Sequence, residues 1–218
     1  MHTAAESLQQ PSFPKLLRRF LYNQLHDNPA SASLAQDAHP RIKGRVHVCN
    51  SAVATFYAPS DISGISSMRR EHIRATSSWR KGKARYDTIL VNSNSEVPVD
   101  SEGVRGFQVA RVFLFFSFQH EDKKYPCALI QSYSHVGSEP DEDTGFWMVE
   151  PDTDDDGDPC LAVIHLDSVY RAVHLLPVHQ DNTFVERTTG ITMHSSLDMF
   201  QLFYINRFVD HQSFEVLS

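Results

Sequence analysis

The clearest pattern in the chain is an alternation of apolar and polar residues over positions 108–119. Its even positions from 110 to 118 are all apolar, which is the two-residue period of a β-strand with one face on a core. Further apolar runs at 86–92, 125–133, 146–149 and 160–165 are separated by turn-forming residues. Short strands at this spacing predict a small antiparallel β-barrel rather than a parallel sheet joined by helices. The predicted barrel core contains Val112, Leu114, Phe116, Leu129 and Val163.

The odd face of the same strand is mixed. Arg111 is predicted to face water, whereas Phe113 and Phe115 need a covering element. A capping box that begins at Ser195, followed by an apolar run over 199–209, predicts a C-terminal helix. We expect this helix to pack on the barrel and to cover the two phenylalanines.

Four other stretches have spacing or composition that fits a helix. Apolar side chains three and four residues apart predict a helix over 13–25, with Ser12 as its cap. Short helices are predicted at 52–57 and 68–75, on either side of a cluster of turn formers. A single helical turn and a closing strand both fit the stretch 169–178.

Together these elements predict an α+β fold, a small antiparallel β-barrel flanked by N- and C-terminal helices. The chain divides into four segments. They are an N-terminal helix and linker at 1–40, a mixed segment ending in a basic tract at 41–85, the β-barrel at 86–180 and the C-terminal helix at 181–218.

Composition agrees with a folded protein and limits the compartment. The chain is 41% hydrophobic and 11% aromatic, enough apolar material for one domain with a core. No apolar run approaches the roughly 20 residues that cross a bilayer, so we expect an intracellular protein with no membrane partner. Cys49, Cys127 and Cys160 are widely spaced in apolar contexts and are predicted to be buried free thiols.

Charge is distributed unevenly along the chain. Positions 139–158 carry ten acids and no base, whereas 68–85 carry seven bases and one acid. Mobile cationic side chains suit contacts with phosphates, and Trp79 is expected to stack on a base or to support the loop. Pairing with the protein's own acidic loops is the alternative use of the same cations. The candidate nucleic-acid site comprises Arg69, Arg70, Arg74, Trp79, Arg80, Lys81, Lys83 and Arg85.

The acidic segments indicate no strong metal site. Asp152, Asp154 and Asp156 precede Gly157 in the order that opens a calcium-binding loop. The twelfth position requires a glutamate and holds Val163, so a solvated acidic turn is favoured. A second acidic group at 139–143 is likewise interpreted as a charged loop, with a divalent ion or a basic peptide as the alternative ligand.

Catalytic motifs are also lacking in the sequence. Ser168, Asp167 and His165 contain the residue types of a hydrolase triad, but no Gly-x-Ser-x-Gly motif accompanies them. The nine glycines are scattered singly and form no phosphate-binding loop. We therefore assign no catalytic residue, no metal ligand and no cofactor.

Several ordered phrases carry a family resemblance over about residues 14–216. They include SAVATFYAPSD at 51–61, MRREHIR at 68–74, GVRGFQVARV at 103–112, EPDEDTG at 139–145 and FYINRFVDH at 203–211. These phrases resemble the carboxyl-terminal region of Plavaka-type transposases of basidiomycete fungi, relatives of the CACTA-like elements. The resemblance implies a nuclear protein whose nuclease-like catalytic core lies upstream of this region. The strand arrangement also resembles the bromo-adjacent-homology (BAH) and Src-homology-3-like barrels used on chromatin.

Three functional hypotheses follow. The first is a non-catalytic accessory region of a transposon-derived protein, which uses its barrel to bind a protein or chromatin partner. The second is a nucleic-acid-binding module that holds DNA through the basic tract. The third, with the least support, is a residual metal-dependent nuclease.

Overall fold

The fold is built around a long hairpin of two strands, β6 (Phe107–His120) and β7 (Lys123–Val136). The computed structural model describes residues 11–26, 40, 42, 44–61, 64–92, 106–179, 192 and 195–218. Over these residues the chain is mainly β, with a curled antiparallel half-barrel sheet, a second small sheet and a few short helices. Most of the linker predicted before residue 40 lies outside the described residues.

The other elements surround this hairpin. The remaining strands are β1 (His47–Cys49), β2 (Ser51–Tyr57), β3 (Met68–Thr76), β4 (Arg85–Tyr86), β5 (Thr88–Asn92), β8 (Met148–Pro151), β9 (Leu161–His165), β10 (Val169–Ala172), β11 (Leu175–Pro177) and β12 (Phe203–Ile205). The helices are α1 (Phe13–Leu25), α2 (Ser196–Met199) and α3 (His211–Leu217), together with a 3-10 turn at Leu166–Ser168.

The large sheet has nine strands, and each pairing within it is antiparallel. Strand β6 pairs with β5 near its start and with β1 near its end, while β7 pairs first with β9 and then with β8. The two central strands therefore change neighbours along their length, and the sheet curls into a half-barrel. The predicted strands at 108–119, 125–133 and 160–165 are confirmed as members of one antiparallel sheet. The strand predicted at 146–149 belongs to the same sheet but lies two residues later, at Met148–Pro151.

The strand predicted at 86–92 divides between two sheets. Strand β5 belongs to the half-barrel, whereas β4 pairs with β3 in the small sheet, whose order is β2-β3-β4. The stretch 169–178, for which a helical turn and a strand both fitted, contains the two strands β10 and β11.

A β-bulge in β6 changes which side chains share a face. Val112 pairs with Ile130, and Leu114 pairs with the very next partner residue, Leu129. Phe113 is therefore the extra residue, and side-chain alternation shifts by one position across it. Even and odd positions exchange faces at this point.

The prediction that all the even positions share one core is consequently wrong. Before the bulge, Val112 packs towards the small sheet, and after it the odd residue Phe115 takes that direction. Leu114 and Phe116 lie instead in a separate cluster on the other face, against α1. That second cluster also contains Leu129 and the half-buried Val163.

The helices predicted at 52–57 and 68–75 are wrong, because both stretches are strands of the small sheet. Their apolar residues bury one face at two-residue spacing, Ala54 and Phe56 on β2 and Ile73 and Ala75 on β3. This inner face packs on the half-barrel, and the burial gained there outweighs local helical propensity. Ser51 begins a strand and caps no helix.

Helix α1 forms over the predicted residues 13–25 and covers one face of the half-barrel. Phe13, Leu17, Phe20 and Leu21 are buried, and the Phe13 ring meets Phe116 edge-on with centroids 5.2 Å apart. Full burial of each such side chain contributes roughly 1.5–3 kcal/mol. The expected side-chain cap is absent among the described contacts, since the backbone carbonyl of Ser12 rather than its hydroxyl accepts the first hydrogen bonds.

The single C-terminal helix predicted over 199–209 is also wrong. The chain forms α2, then β12, then α3, and β12 pairs with β8 and β11 at the edge of the half-barrel. Phe203 and Ile205 point into a core with Val109 and Tyr133 because they are two residues apart on a strand. The segment thus packs on the sheet, but away from Phe113 and Phe115.

Arg111, predicted to face water, is buried beneath this C-terminal segment. Its guanidinium donates a hydrogen bond of 2.5 Å to the carboxylate of Asp198 in α2. Ser195 makes no side-chain cap hydrogen bond to α2. Asp198, the other residue of the predicted capping box, instead accepts the hydrogen bond from Arg111 and joins α2 to β6.

Two further expectations concern cysteines and the membrane. Cys127 is buried, and its burial raises the pKa of the thiol to about 12. Cys49 and Cys160 are exposed, which corrects the prediction that all three thiols are buried. No helix within the described ranges has both the length and the apolar character needed to cross a membrane.

Candidate nucleic-acid interface

The outer face of β3 carries three nitrogen-bearing side chains in a row, here called the basic row: Arg70, His72 and Arg74. Side chains alternate along a strand, so the residues between them turn inwards and the row repeats about every 6.7 Å. Arg70 and His72 are exposed and Arg74 is half-buried. Sequence alternation thus places these three side chains on one surface of β3.

No acid compensates the row on its own face of the small sheet. The facing residues of β2 are Ser51 opposite Arg74, Val53 opposite His72 and Thr55 opposite Arg70. Within the described part of the chain, neither arginine of the row makes an ion pair with a carboxylate. The positive charge of the row is therefore directed outwards.

The turn that follows β3 adds further cations. The backbone N–H of Gly82 donates to the carbonyl of Trp79 at 2.8 Å, and the two residues between them have positive φ, 51° at Arg80 and 64° at Lys81. This is the pattern of a type I′ turn, whose usual residues are Asn and Gly. Both positions cost conformational energy with a bulky side chain. Lys83, next to the turn, is exposed.

Trp79 gathers three guanidinium groups around its ring. The central guanidinium carbons of Arg74, Arg80 and Arg85 lie 4.4, 5.4 and 5.5 Å from the ring centroid. These distances fit cation–π attraction, and the side chain of Trp79 is half-buried. The contacts favour loop support over base stacking as the role of this residue.

Two members of the predicted site are held by carboxylates. Arg69 lies on the inner side of β3 and donates to Asp61 at 2.5 Å, while Arg85 donates to Asp87 at 2.7 Å. Their charges are neutralised by carboxylates of the same chain. The remaining cations, which lack such a partner among the described residues, are Arg70, Arg74, Arg80, Lys81 and Lys83.

Hydrogen bonds to backbone groups hold the acidic turn at 152–158 in place. The side chain of Asp154 accepts hydrogen bonds from the N–H groups of Asp156 and Asp158. The carbonyl of Asp152 accepts the N–H of Cys160 and the side-chain amide of Gln131. Across the described residues, no group of three metal-binding side chains is positioned to hold an ion.

The residues of the hypothetical hydrolase triad share a groove but not a triad geometry. His165, Asp167 and Ser168 border a groove of about 730 Å³ between α1 and β9. Nδ1 of His165 lies 3.3 Å from the Asp167 carboxylate and accepts the backbone N–H of Asp167. Among the described residues, no hydrogen bond joins the Ser168 hydroxyl to His165. The contact between nucleophile and base that a hydrolase triad requires is therefore not present there.

A buried charge cluster, centred on Arg171 of β10, was not predicted from the sequence. Its guanidinium forms a bidentate ion pair with Asp210, in which two N–H groups donate to the two carboxylate oxygens at 3.0 and 2.6 Å. The guanidinium also donates to the side-chain oxygen of Gln212. The same group lies 4.6 Å from the Phe56 ring centroid, and Glu71 is 3.8 Å away. The available signal was one arginine inside an otherwise apolar stretch.

Opposing effects set the pKa values of the two carboxyls in this cluster. Burial raises the pKa of Glu71, and the hydrogen bond from the Ala172 N–H together with the charge of Arg171 only partly offsets this. Burial would also raise the pKa of Asp210, but hydrogen bonds from Arg171 and the Ser213 N–H outweigh it and hold that pKa well below its usual value. Asp210 is therefore firmly ionised.

Comparison with protein-family models, with curated proteins and with solved structures gives no match for this chain.

Proposed function

We propose that this chain is a non-catalytic nucleic-acid-binding module, and that the basic row and the turn at 80–83 contact phosphates. The observation that carries the proposal is the exposed set of cations with no carboxylate partner among the described residues. Phosphate contacts need positive charge and mobile donors, which Arg70 and Lys83 provide.

Backbone strain at the turn supports the same proposal. Arg80 and Lys81 occupy positive-φ positions where Asn and Gly would be more stable. Strain of this kind persists where the side chains serve another purpose, and it concentrates at functional sites. Two adjacent cations at a hairpin tip are well placed for phosphates.

The wider setting is part of the proposal. The sequence phrases that resemble Plavaka-type transposases support an accessory region of a transposon-derived, nuclear protein that acts beside a separate catalytic core. An upstream reading frame with a nuclease-like core in the same gene would support that origin. Absence of such a core would favour a decayed copy or a domesticated gene.

A second candidate function is a protein- or chromatin-interaction module with a BAH-like or Src-homology-3-like barrel. One observation favours it. Phe208, Val209 and Phe214 form an exposed apolar patch on the C-terminal segment, with the Arg207 guanidinium 5.2 and 5.6 Å from the two phenylalanine rings. Exposed apolar patches mark interaction surfaces.

Fluorescence anisotropy with labelled DNA of several unrelated sequences separates the two functions. We expect binding at low salt that weakens by a similar factor for all sequences in the Arg80→Gln/Lys81→Gln/Lys83→Gln variant. A control that removes the same charge from the exposed side of α1, Lys15→Gln/Arg18→Gln/Arg19→Gln, should bind like the unaltered protein. Absence of binding at low salt would leave the protein-interaction function, and a loss limited to one sequence would indicate base readout.

A further inference from the structure

Exposed apolar side chains lie next to the basic row on the outer face of the small sheet. They are Val53 and Tyr57 of β2 and Met68 of β3, here called the apolar row. Tyr57, Val53 and Met68 are 62%, 41% and 38% exposed, and they share this face because Val53 faces His72 and Tyr57 faces Met68 across the two strands. Adjacent strands lie about 4.8 Å apart. Exposed apolar side chains thus run directly alongside cations, with no acid on β2.

We infer that this outer face binds single-stranded nucleic acid in preference to a duplex, with phosphates along the basic row and unpaired bases on Tyr57 and Val53. This inference rests on the proposed function and names its ligand. Single-strand binders combine a positive track for the backbone with aromatic side chains on which bases stack. In a duplex the bases are already paired and stacked, so only phosphates would reach the sheet.

Tyr57, rather than Trp79, is the stacking residue on this face. Three arginines surround the half-buried indole of Trp79, which leaves it little free ring surface. Tyr57 is the more exposed aromatic ring, and it lies at the end of β2. A base can therefore reach its ring without displacing a cation.

Packing leaves the β2–β3 pair with one open face. The inner face of this pair is buried, with Phe56 and Ile73 in the cluster that also contains Val112 of the half-barrel. One open face is left, which suits a strand laid across it.

Anisotropy titrations with a labelled oligonucleotide of about 12 nucleotides, its RNA counterpart and its duplex test this inference. We expect tighter binding of the single strands than of the duplex. Tyr57→Ala should weaken single-strand binding by about 5- to 150-fold and leave duplex binding unchanged, whereas Tyr57→Phe should keep the affinity. The DNA and RNA arms identify which single strand is preferred.

The outcomes separate the inference from the function on which it rests. Binding of neither single strand nor duplex contradicts the proposed function itself. Equal or tighter duplex binding, or single-strand affinity that Tyr57→Ala leaves unchanged, overturns the inference alone. Sedimentation provides a further check, because a dimer abolished by Tyr57→Ala would assign the apolar row to a second copy of this chain and would also overturn it.

Discussion

Arg171 of β10 and Asp210, the N-cap residue of α3, form a buried bidentate ion pair whose shortest N–O distance is 2.6 Å. Arg171 is 3% exposed, and it also contacts Phe56 of the small sheet. Asp210 accepts the Ser213 N–H at 2.7 Å at the start of the helix. One pair therefore joins the half-barrel, the small sheet and the C-terminal segment.

Loss of one partner of this pair should be strongly destabilising. We expect Asp210→Asn to lower the free energy of unfolding by about 3–5 kcal/mol, because it removes the nearest counter-charge of the buried Arg171 guanidinium and leaves the more distant Glu71, at 3.8 Å. Urea denaturation measures the change. The exposed turn residue Asp154 offers a control, since Asp154→Asn should change stability by no more than about 0.5 kcal/mol. Equal effects of the two variants would contradict a stabilising role for the Arg171–Asp210 ion pair.

Acid should remove the stabilisation that the Arg171–Asp210 ion pair contributes to the unaltered protein. The folded-state pKa of Asp210 is lowered, so the stability it contributes is complete above its unfolded value of about 4 and is lost as pH falls towards the folded value. The pKa of Glu71 is raised, so its ionisation opposes folding as pH rises above its usual value. We therefore expect the stability difference between the unaltered protein and Asp210→Asn to shrink as pH falls below about 4. A difference that persists unchanged in acid would disprove this assignment.

The turn at Arg80 and Lys81 should show a conflict between stability and binding. The variant Arg80→Asn/Lys81→Gly places the preferred type I′ residues at positive φ, and we expect it to raise the free energy of unfolding by about 1 kcal/mol. The same variant removes two cations and should bind DNA more weakly. Thermal unfolding and anisotropy measure the two effects. A destabilised variant, or one with unchanged affinity, would count against the functional interpretation of the strained turn.

Helix α1 should contribute to the core rather than act as an appendage. Leu17 is fully buried against the half-barrel, so Leu17→Ala should cost about 2–5 kcal/mol in denaturant unfolding. Lys15 lies on the exposed side of the same helix, and Lys15→Ala should be nearly neutral. If Leu17→Ala were also nearly neutral, the helix would not be part of the cooperative unit.

The spacing of apolar residues was sufficient to predict some helices and strands but not others. The helix at 13–25 followed from a long periodic run, and the main strands followed from alternation and turn spacing. The bulge at Phe113 was not predictable, because an inserted residue becomes visible only when Val112 and Leu114 are matched to their partners on β7. Strand β3 looked helical because its inner face is recognised only once the half-barrel lies beneath it.

The candidate site was predictable in outline but not in detail. Composition marked the basic tract, yet Arg69 and Arg85 are neutralised by Asp61 and Asp87, whose positions depend on the folded chain. Trp79 was predictable as an aromatic residue among cations, whereas Tyr57 lies in a stretch for which a helix was predicted, so its exposure on a strand was not predictable. Which face a residue occupies was the missing information in each case.

The dependence of DNA affinity on salt tests the central claim most directly. If the basic row binds phosphates, the logarithm of the association constant should fall linearly with the logarithm of salt concentration. Arg70→Gln/Arg74→Gln should reduce the magnitude of that slope by about 2, because each lost phosphate contact contributes about one unit. Lys15→Gln/Arg18→Gln, with the same change in net charge, should keep the slope of the unaltered protein. Equal slopes for both variants, or affinity that does not respond to salt, would contradict the account.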